Sequence, residues 1–305
     1  MVEGVKRVLF ITAHRLGDAV IAMGVLGGLM QRYPHARFTV ACGPAVQDLF
    51  RYMPQCDHII VVEKKSHNRH WLALWWQVVR YRWEAVVDLR SSPLAYAVWS
   101  RARHVVRGGR QAGLKLEQQA RSLGFEQPCR PYVWLGQAEQ EEAARLLPGD
   151  TRWVALAPTA GTETKIWPAA AFAALVERLK MRGLRPVLFY GPGEREDRLA
   201  APARAAMPDA LDMGGRYTVA QVAALLARCS LFVGSDSGLM HLSAALDVPT
   251  VGLFGPSHAA QYSPSGRWVE VVEAPGPSGE GDMTRLCAED VNRVAMALYE
   301  RSRER

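Results

Sequence analysis

The sequence predicts an α/β protein made of two doubly wound, parallel-sheet halves. Three observations predict it. Short apolar runs alternate with helical patterns nearly throughout the 305 residues. The alternation breaks once, near 136–149, into a polar helix and the turn-forming LPGDT, and then restarts. The helices also carry stop signals, Pro34 after the first and Gly183 after a later one. Strands that alternate with helices imply a parallel sheet covered on both faces.

In chain order, Arg7–Ala13 reads as the first strand and Asp18–Tyr33 as a helix. Phe38–Cys42 is a strand, Ala45–Met53 a short helix, Ile59–Val62 a strand and His70–Tyr81 an aromatic helix. Ala85–Leu89 follows as a strand, and Val105–Arg107 as a fifth. After the break come the strand Val154–Ala157, the helix Ala169–Arg182, the strand Pro186–Tyr190, the helix Val219–Arg228 and the strand Leu231–Val233. Leu239–Leu246 is helical, Thr250–Phe254 is a strand, and a last helix runs from Asp290. The joint falls near residue 148, giving domains 1–148 and 149–305, and the last helix can pack back onto the first. A ligand is expected at the carboxyl ends of the strands, in a cleft that the two halves face.

Composition narrows the function. Hydrophobic residues make up 49% and charged residues 22%, enough for real cores. No run of 18 apolar residues occurs, so no spanning helix is expected. In the N-terminal MVEGVKRVLFITAHRLGDAV, Arg15 and Asp18 stand where a signal peptide would need small residues. The five cysteines are scattered with no C-x-x-C pair, which fits a reducing cytoplasm and argues against a zinc site. The net charge of +7 suggests an anionic partner.

Four loops carry candidate chemistry. Gly234-Ser-Asp236-Ser-Gly238 joins a strand to a helix. With Asp236 as nucleophile it would fit a hydrolase elbow, but the only later histidines are His241, on the helix itself, and His258. As a cradle, Ser237 and Gly238 offer free N–H groups to a pyrophosphate; as a plain cap, Asp236 or Ser237 would satisfy the helix itself. The second loop is PTAGTETKIWP, with Thr159, Thr162 and Lys165 as a diphosphate clamp, or with Trp167 simply packing an ordinary connection. The third, Arg15-Leu-Gly17-Asp18, makes Asp18 either a helix cap or a general base. No G-x-G-x-x-G, D-x-D or H-E-x-x-H motif occurs, so neither a dinucleotide site nor a metal site is expected. In the fourth, Lys64, Lys65, Arg69, Arg80 and Arg82 interleave with Trp71, Trp75, Trp76 and Tyr81. Trp75 and Val79 read as the core face of a helix, and Lys64–Arg69 as a site for a phosphorylated lipid. No nucleic-acid module is present.

Together these loops resemble glycosyltransferase family 9, the heptosyltransferases that use ADP-heptose. The carriers are SDSGLMHLSAALDVPTVGLFGPS, RLGDAV, PTAGTETKIWPAAAFAAL and YGPGERED, over about residues 7–298. The resemblance implies a GT-B fold of two Rossmann-like domains, acceptor on the first and ADP-sugar on the second. It implies an inverting, metal-independent transfer to an inner-core lipopolysaccharide-type acceptor, with no cofactor and with peripheral contact at the cytoplasmic face of the inner membrane. It makes Asp18 the base and places Lys165 at the leaving diphosphate. Asp236, Thr159 and Thr162 then lie at the sugar and phosphates, and Ser237, Gly238 and His241 around the pyrophosphate. Glu196, ahead of Glu194, is placed at the ribose and Tyr217 at the adenine. Lys64, Lys65 and Arg69 are left to the anionic acceptor. The sequence departs from the family pattern at Gly24, where a proline is usual, at Ser237 for threonine, and over Glu273–Met283, which lacks cysteines. The competing readings are a nucleotide-sugar 2-epimerase of the same fold and a non-catalytic protein that binds anionic glycolipid or RNA.

Overall fold

The computed structural model describes residues 6–64, 66–106 and 112–304. The chain forms two compact units, Met1–Trp134 and Leu135–Arg305. The first unit contains β1 (Arg7–Ile11), α1 (Leu16–Arg32), β2 (Arg37–Cys42), β3 (Cys56–Val61), α2 (Arg69–Val78), β4 (Trp83–Asp88), β5 (Ser100–Val105) and α3 (Lys115–Ser122). All its strand pairs are parallel, in the order β3-β2-β1-β4-β5. The chain leaves β1 in one direction and returns to its other side at β4. The loops after β1 and β4 therefore diverge at the carboxyl ends and leave a crevice.

The second unit repeats this plan. It comprises α4 (Gln137–Leu146), β6 (Arg152–Ala157), α5 (Ala169–Lys180), β7 (Leu184–Leu188), α6 (Glu194–Ala206), β8 (Leu211–Asp212) and α7 (Val219–Leu226). It continues with β9 (Cys229–Ser235), α8 (Gly238–Ala245), β10 (Thr250–Phe254), α9 (Ala259–Tyr262), β11 (Val269–Glu273) and α10 (Ala288–Arg303). Its parallel order is β11-β10-β9-β6-β7-β8, with the reversal between β6 and β9. Strands such as Val8–Ile11 and Val154–Ala157 are buried throughout because helices cover both sheet faces.

The sequence places the joint near 148, whereas the packing places it after Trp134. The reason is α4, which belongs to the second unit. Gln221 Nε2 donates to Glu142 Oε2 at 2.8 Å, and Arg228 Nε donates to Leu147 O at 3.0 Å. The closing helix α10 packs on α5, β9, β10 and β11 of its own unit. Gly183 ends its helix at φ 77°, as its position predicts. The expected helix 45–53 is a 3₁₀ run, Pro44–Phe50. The core face of α2 is His70, Leu74 and Val78; Trp75 packs against that core, while Val79 is the helix C-cap and only partly buried.

The first-unit helix α1 carries Gly24, Gly27 and Gly28 on the side facing the 116–129 segment. A Cβ on Gly24 would lie 2.4 Å from Cys129 O and 2.7 Å from Leu116 Cδ1. Gly24 thus lets α1 and α3 approach closely, which accounts for the departure seen at that position. Among the described residues no helix is long and apolar enough to cross a membrane.

Candidate functional site

In the first unit the crevice between β1 and β4 is a cavity of about 640 Å³. Thr12 to Arg15 reach it from the end of β1, and Leu89 and Arg90 from the end of β4. Lys64, Asn68, His70 and Trp71 come from the segment after β3, and Lys115 and Gln119 from α3. Arg15, Lys64, Arg90 and Lys115 make the lining cationic, and Asp18 is the one carboxylate among its described residues. Asp18 is not a cap. The N-cap of α1 is Arg15, and Asp18 sits in the first turn, where its Oδ1 accepts from Lys115 Nζ. Burial, and then the charges of Arg90, His70 and Lys64, hold His14 below the usual histidine range, so it is neutral at pH 7.

Arg90 is presented by a turn that Asp88 organises. The fully buried Asp88 carboxylate accepts from the backbone N–H of Arg90 and of Ser92, both at 2.7 Å, and from Ser92 Oγ at 2.5 Å. Burial raises Asp88 above the usual carboxylate range, and these donors oppose the rise. Of the three acceptor candidates, Lys64 lines the cavity. Arg69 does not: it lies on an exposed groove with Ser66, Leu72, Ala73 and Trp76. Lys65 lies outside the described residues. His14, Arg90 and Lys115 escaped sequence reasoning. Arg90 carries a usable signal, since it follows directly on a recognised strand; Lys115 carries none.

In the second unit the predicted donor residues fall at the carboxyl ends of adjacent strands. The 158–168 loop follows β6, Glu196 follows β7, Tyr217 follows β8 and Asp236–Gly238 follow β9. Across the crevice between β6 and β9, Lys165 Nζ donates to Asp236 Oδ2 at 2.7 Å. Asp236 Oδ1 lies 3.9 Å from Nε2 of the buried His241. The turn is held from below by the Asp236 N–H, which donates to Leu253 O at 3.1 Å. Lys165 is fixed by its neighbour Trp167. That indole is fully buried, stacks edge-on against Phe172, and donates to Leu286 O at 3.0 Å. Trp167 therefore packs, as the plain reading of the loop has it, and Lys165 is left at the crevice.

The start of α8 is the informative feature. Ser237 occupies the N-cap position but makes no capping hydrogen bond. Its Oγ is buried without a partner, and so are the hydroxyls of Ser235 and of Ser257 after β10. A buried hydroxyl left unpaired costs about 1–3 kcal/mol. The helix thus offers its free N–H groups and positive end, with orphan hydroxyls beside them, as an anion site requires. Thr159 is buried nearby in sequence after β6, and Thr162 Oγ1 meets Thr164 Oγ1 at 3.3 Å. Arg195, also missed in the sequence, ties the start of α6 to this loop by donating to Gly161 O at 2.9 Å. Its other arm is 3.3 Å from Glu196 Oε1. Glu196 is half-buried and Glu194 exposed; Tyr217 is half-buried ahead of α7. The 275–283 loop covers the end of β10, with Gly279 on the His258 ring and Met283 against Gly255. Among the described residues no three His, Cys, Asp or Glu side chains are grouped to hold a metal ion.

Fold and sites together define a doubly wound α/β protein, with a cationic cleft in one unit and an anion-ready helix terminus in the other. The chain belongs to glycosyltransferase family 9 (heptosyltransferase), whose model matches residues 90–289, and it is therefore a glycosyltransferase. Lipopolysaccharide heptosyltransferase 1 of Salmonella typhimurium is 24% identical over 293 residues, covering 82% of this chain and 89% of the relative. A glycosyl transferase family 9 structure from Veillonella parvula superimposes with a TM-score of 0.84 at 19% identity, covering 97% of both chains. ADP-heptose lps heptosyltransferase II of Escherichia coli gives a TM-score of 0.80 at 21% identity, covering 98% of this chain and 99% of the other. The family and the two-domain fold expected from the sequence are both borne out, and the non-catalytic alternative is set aside.

Proposed function

We propose that this chain transfers a heptose, or a closely related sugar, from an ADP-sugar to an inner-core lipopolysaccharide-type acceptor. The carrying observation is the uncapped start of α8, with the unpaired Ser237 hydroxyl beside the Lys165–Asp236 pair. A diphosphate there gains the helix N–H groups, the helix dipole and the Lys165 ammonium. Thr159 and Thr162 line the sugar and phosphate side, Glu196 takes the ribose hydroxyls, Tyr217 lies against the adenine, and His241 backs Asp236. The similarity to a lipopolysaccharide heptosyltransferase and to an ADP-heptose lps heptosyltransferase supports this donor.

The first-unit cleft receives the acceptor, whose phosphate and carboxylate groups match Arg15, Lys64, Arg90 and Lys115. Asp18 acts as general base through Oδ2 while Lys115 holds Oδ1. The acceptor oxygen bonds to the anomeric carbon as its proton passes to Asp18. The bond from that carbon to the phosphate oxygen breaks, and its electron pair leaves with ADP, which Lys165 and α8 stabilise. Displacement from the opposite face inverts the centre. No metal or other cofactor enters these steps. The enzyme works in the cytoplasm, in peripheral contact with the inner-membrane surface where a lipid-linked acceptor resides.

The test is a thermal-shift series with ADP, UDP, GDP, NAD and ATP, with and without magnesium, followed by transfer assays. The expected result is selective stabilisation by ADP that magnesium does not change, and donor turnover only with acceptor present. A preference for UDP, or donor conversion without acceptor as in a 2-epimerase, would overturn the reading.

A further inference from the structure

The first unit exposes an aromatic surface that neither cleft uses. On α2, Leu72 is 58% exposed and Trp76 66% exposed; on the turn leading into β5, Tyr96 and Trp99 are 60% and 55% exposed. These positions form one neighbourhood. Trp75 stacks edge-on with Trp76 at 5.1 Å, and its indole N–H donates to Ala97 O at 2.9 Å, between Tyr96 and Trp99. Arginines ring the aromatics. Arg82 lies over Trp99 at 5.5 Å and Arg103 over Tyr96 at 5.5 Å. Arg69, Arg80 and Arg101 are exposed around them; the acids close by are Glu84, 3.7 Å from Arg101, and Glu63, which shares a groove with Ala73 and Gln77 of α2.

We infer that this face docks on the surface of an anionic phospholipid bilayer. Tryptophan and tyrosine rings favour the depth of the headgroups, where the ring is in an apolar layer and its N–H or O–H is wet. Arginines beside them gain from anionic lipids. A second copy of the chain is a poor occupant, since a self-complementary contact would set arginine against arginine. The face is continuous with the acceptor cleft through α2. His70 and Trp71 line that cleft, while Arg69, Leu72 and Trp76 stand on the exposed side of the same helix. Docking would hold the cleft at headgroup level, where the sugar of a lipid-linked acceptor begins. The docking rests on the peripheral membrane contact of the proposed function and assigns it a face; it does not rest on the ADP-sugar donor.

The test is co-sedimentation of the full chain with phosphatidylglycerol-rich and with phosphatidylcholine-only vesicles. Two double variants are compared with the wild type, Trp76→Ser with Trp99→Ser and Arg80→Ser with Arg82→Ser. The wild type should bind the anionic vesicles selectively. Loss of the two arginines should weaken that binding on the order of thirtyfold, and loss of the two tryptophans should weaken binding to both vesicle types. The thermal shift with ADP controls for folding and reports the donor site separately, so its absence would count against the proposed donor and not against docking. Failure of the wild type to bind anionic vesicles would overturn the inference. So would unchanged binding by both variants, or a wild-type dimer in sedimentation velocity that both variants abolish.

Discussion

Replacing Lys165 by alanine should weaken ADP binding, and replacing Asp236 by asparagine as well should restore part of it. In the free protein Lys165 Nζ and Asp236 Oδ2 are 2.7 Å apart, with the carboxylate 10% exposed and the lysine 27% exposed. Removing one partner of a well-buried pair costs about 3–5 kcal/mol. Lys165 is partly solvated, so the loss of stability here should be smaller, about 1–2 kcal/mol. The effect on ADP has two parts. A charge-assisted hydrogen bond to the diphosphate is worth about 1.5–3 kcal/mol, or roughly 10–100-fold in affinity. The uncompensated Asp236 then repels the phosphates beside it. Asp236→Asn removes only the second part, so the double variant should bind ADP roughly tenfold more tightly than Lys165→Ala alone. Isothermal titration calorimetry of the wild type and the two variants reads this directly. An unchanged affinity in Lys165→Ala, or a double variant no better than the single, would refute the clamp.

Asp18→Asn should abolish transfer while leaving ADP affinity within a few-fold; near-normal turnover in that variant would end its role as base. Lys115→Met should lower turnover far more than it changes ADP binding, because Lys115 positions the Asp18 carboxylate; wild-type kinetics would show that the pair is only structural. His14 and His104 are both held below the ordinary histidine value of 6.5, chiefly by burial. The unfolded chain then binds more protons at acid pH, so their contribution to stability is present above pH 6.5 and is lost as pH falls below it. Urea midpoints across this range should drop less in His14→Asn than in wild type, and parallel curves would count against it. Gly24→Ala and Gly27→Ala should shift the thermal midpoint in opposite directions. Helix propensity favours alanine by about 1 kcal/mol. At Gly24 the overlap with Cys129 O and Leu116 outweighs it by costing about 1–3 kcal/mol or more, whereas at Gly27 the nearest atom is Cys129 Cβ at 3.4 Å. Shifts of the same sign would refute the close α1–α3 packing.

The elements hidden from the sequence share a physical cause. The fifth strand, read at Val105–Arg107, is β5 over Ser100–Val105, and Arg107 lies outside the described residues; β5 reads SRARHV because an edge strand turns Arg101 and Arg103 outward and so lacks an apolar run. β8 has only the residues Leu211 and Asp212. α6 contains Pro202 and buries only Ala200 and Ala203 on its inner face, so neither its breaker nor its composition announces a helix. α3 is mostly polar and is held by the glycine face of α1, a property of α1 and not of α3 itself. The central strands β1, β4, β6, β9 and β10 were legible because burial on both faces demands apolar residues there whatever the site requires.

The two crevices occupy the same topological position, yet the second was legible as one string and the first only at Asp18 and Lys64. In the second unit the positive potential comes largely from backbone, the free N–H groups that open α8. A backbone site is written locally, as a turn whose residues must fit it, so Asp236-Ser-Gly238 can be found as one contiguous string. The unpaired Ser237 hydroxyl sharpens this. An ordinary N-cap is worth about 1 kcal/mol, and α8 forgoes it while burying Met240, Leu242 and Ala245 against the sheet. The helix start is thus held by packing and left open to a ligand. In the first unit the potential comes from side chains, Arg15, Lys64, Arg90 and Lys115, each on a different segment. Any one of them is an ordinary solvated cation in its own stretch of sequence. They become a site only because the order β3-β2-β1-β4 brings their loops to one edge and the Gly24 contact brings α3 to α1. The first-unit cleft is therefore encoded in packing, and substitutions that never touch a charge, such as Gly24→Ala, are expected to alter it.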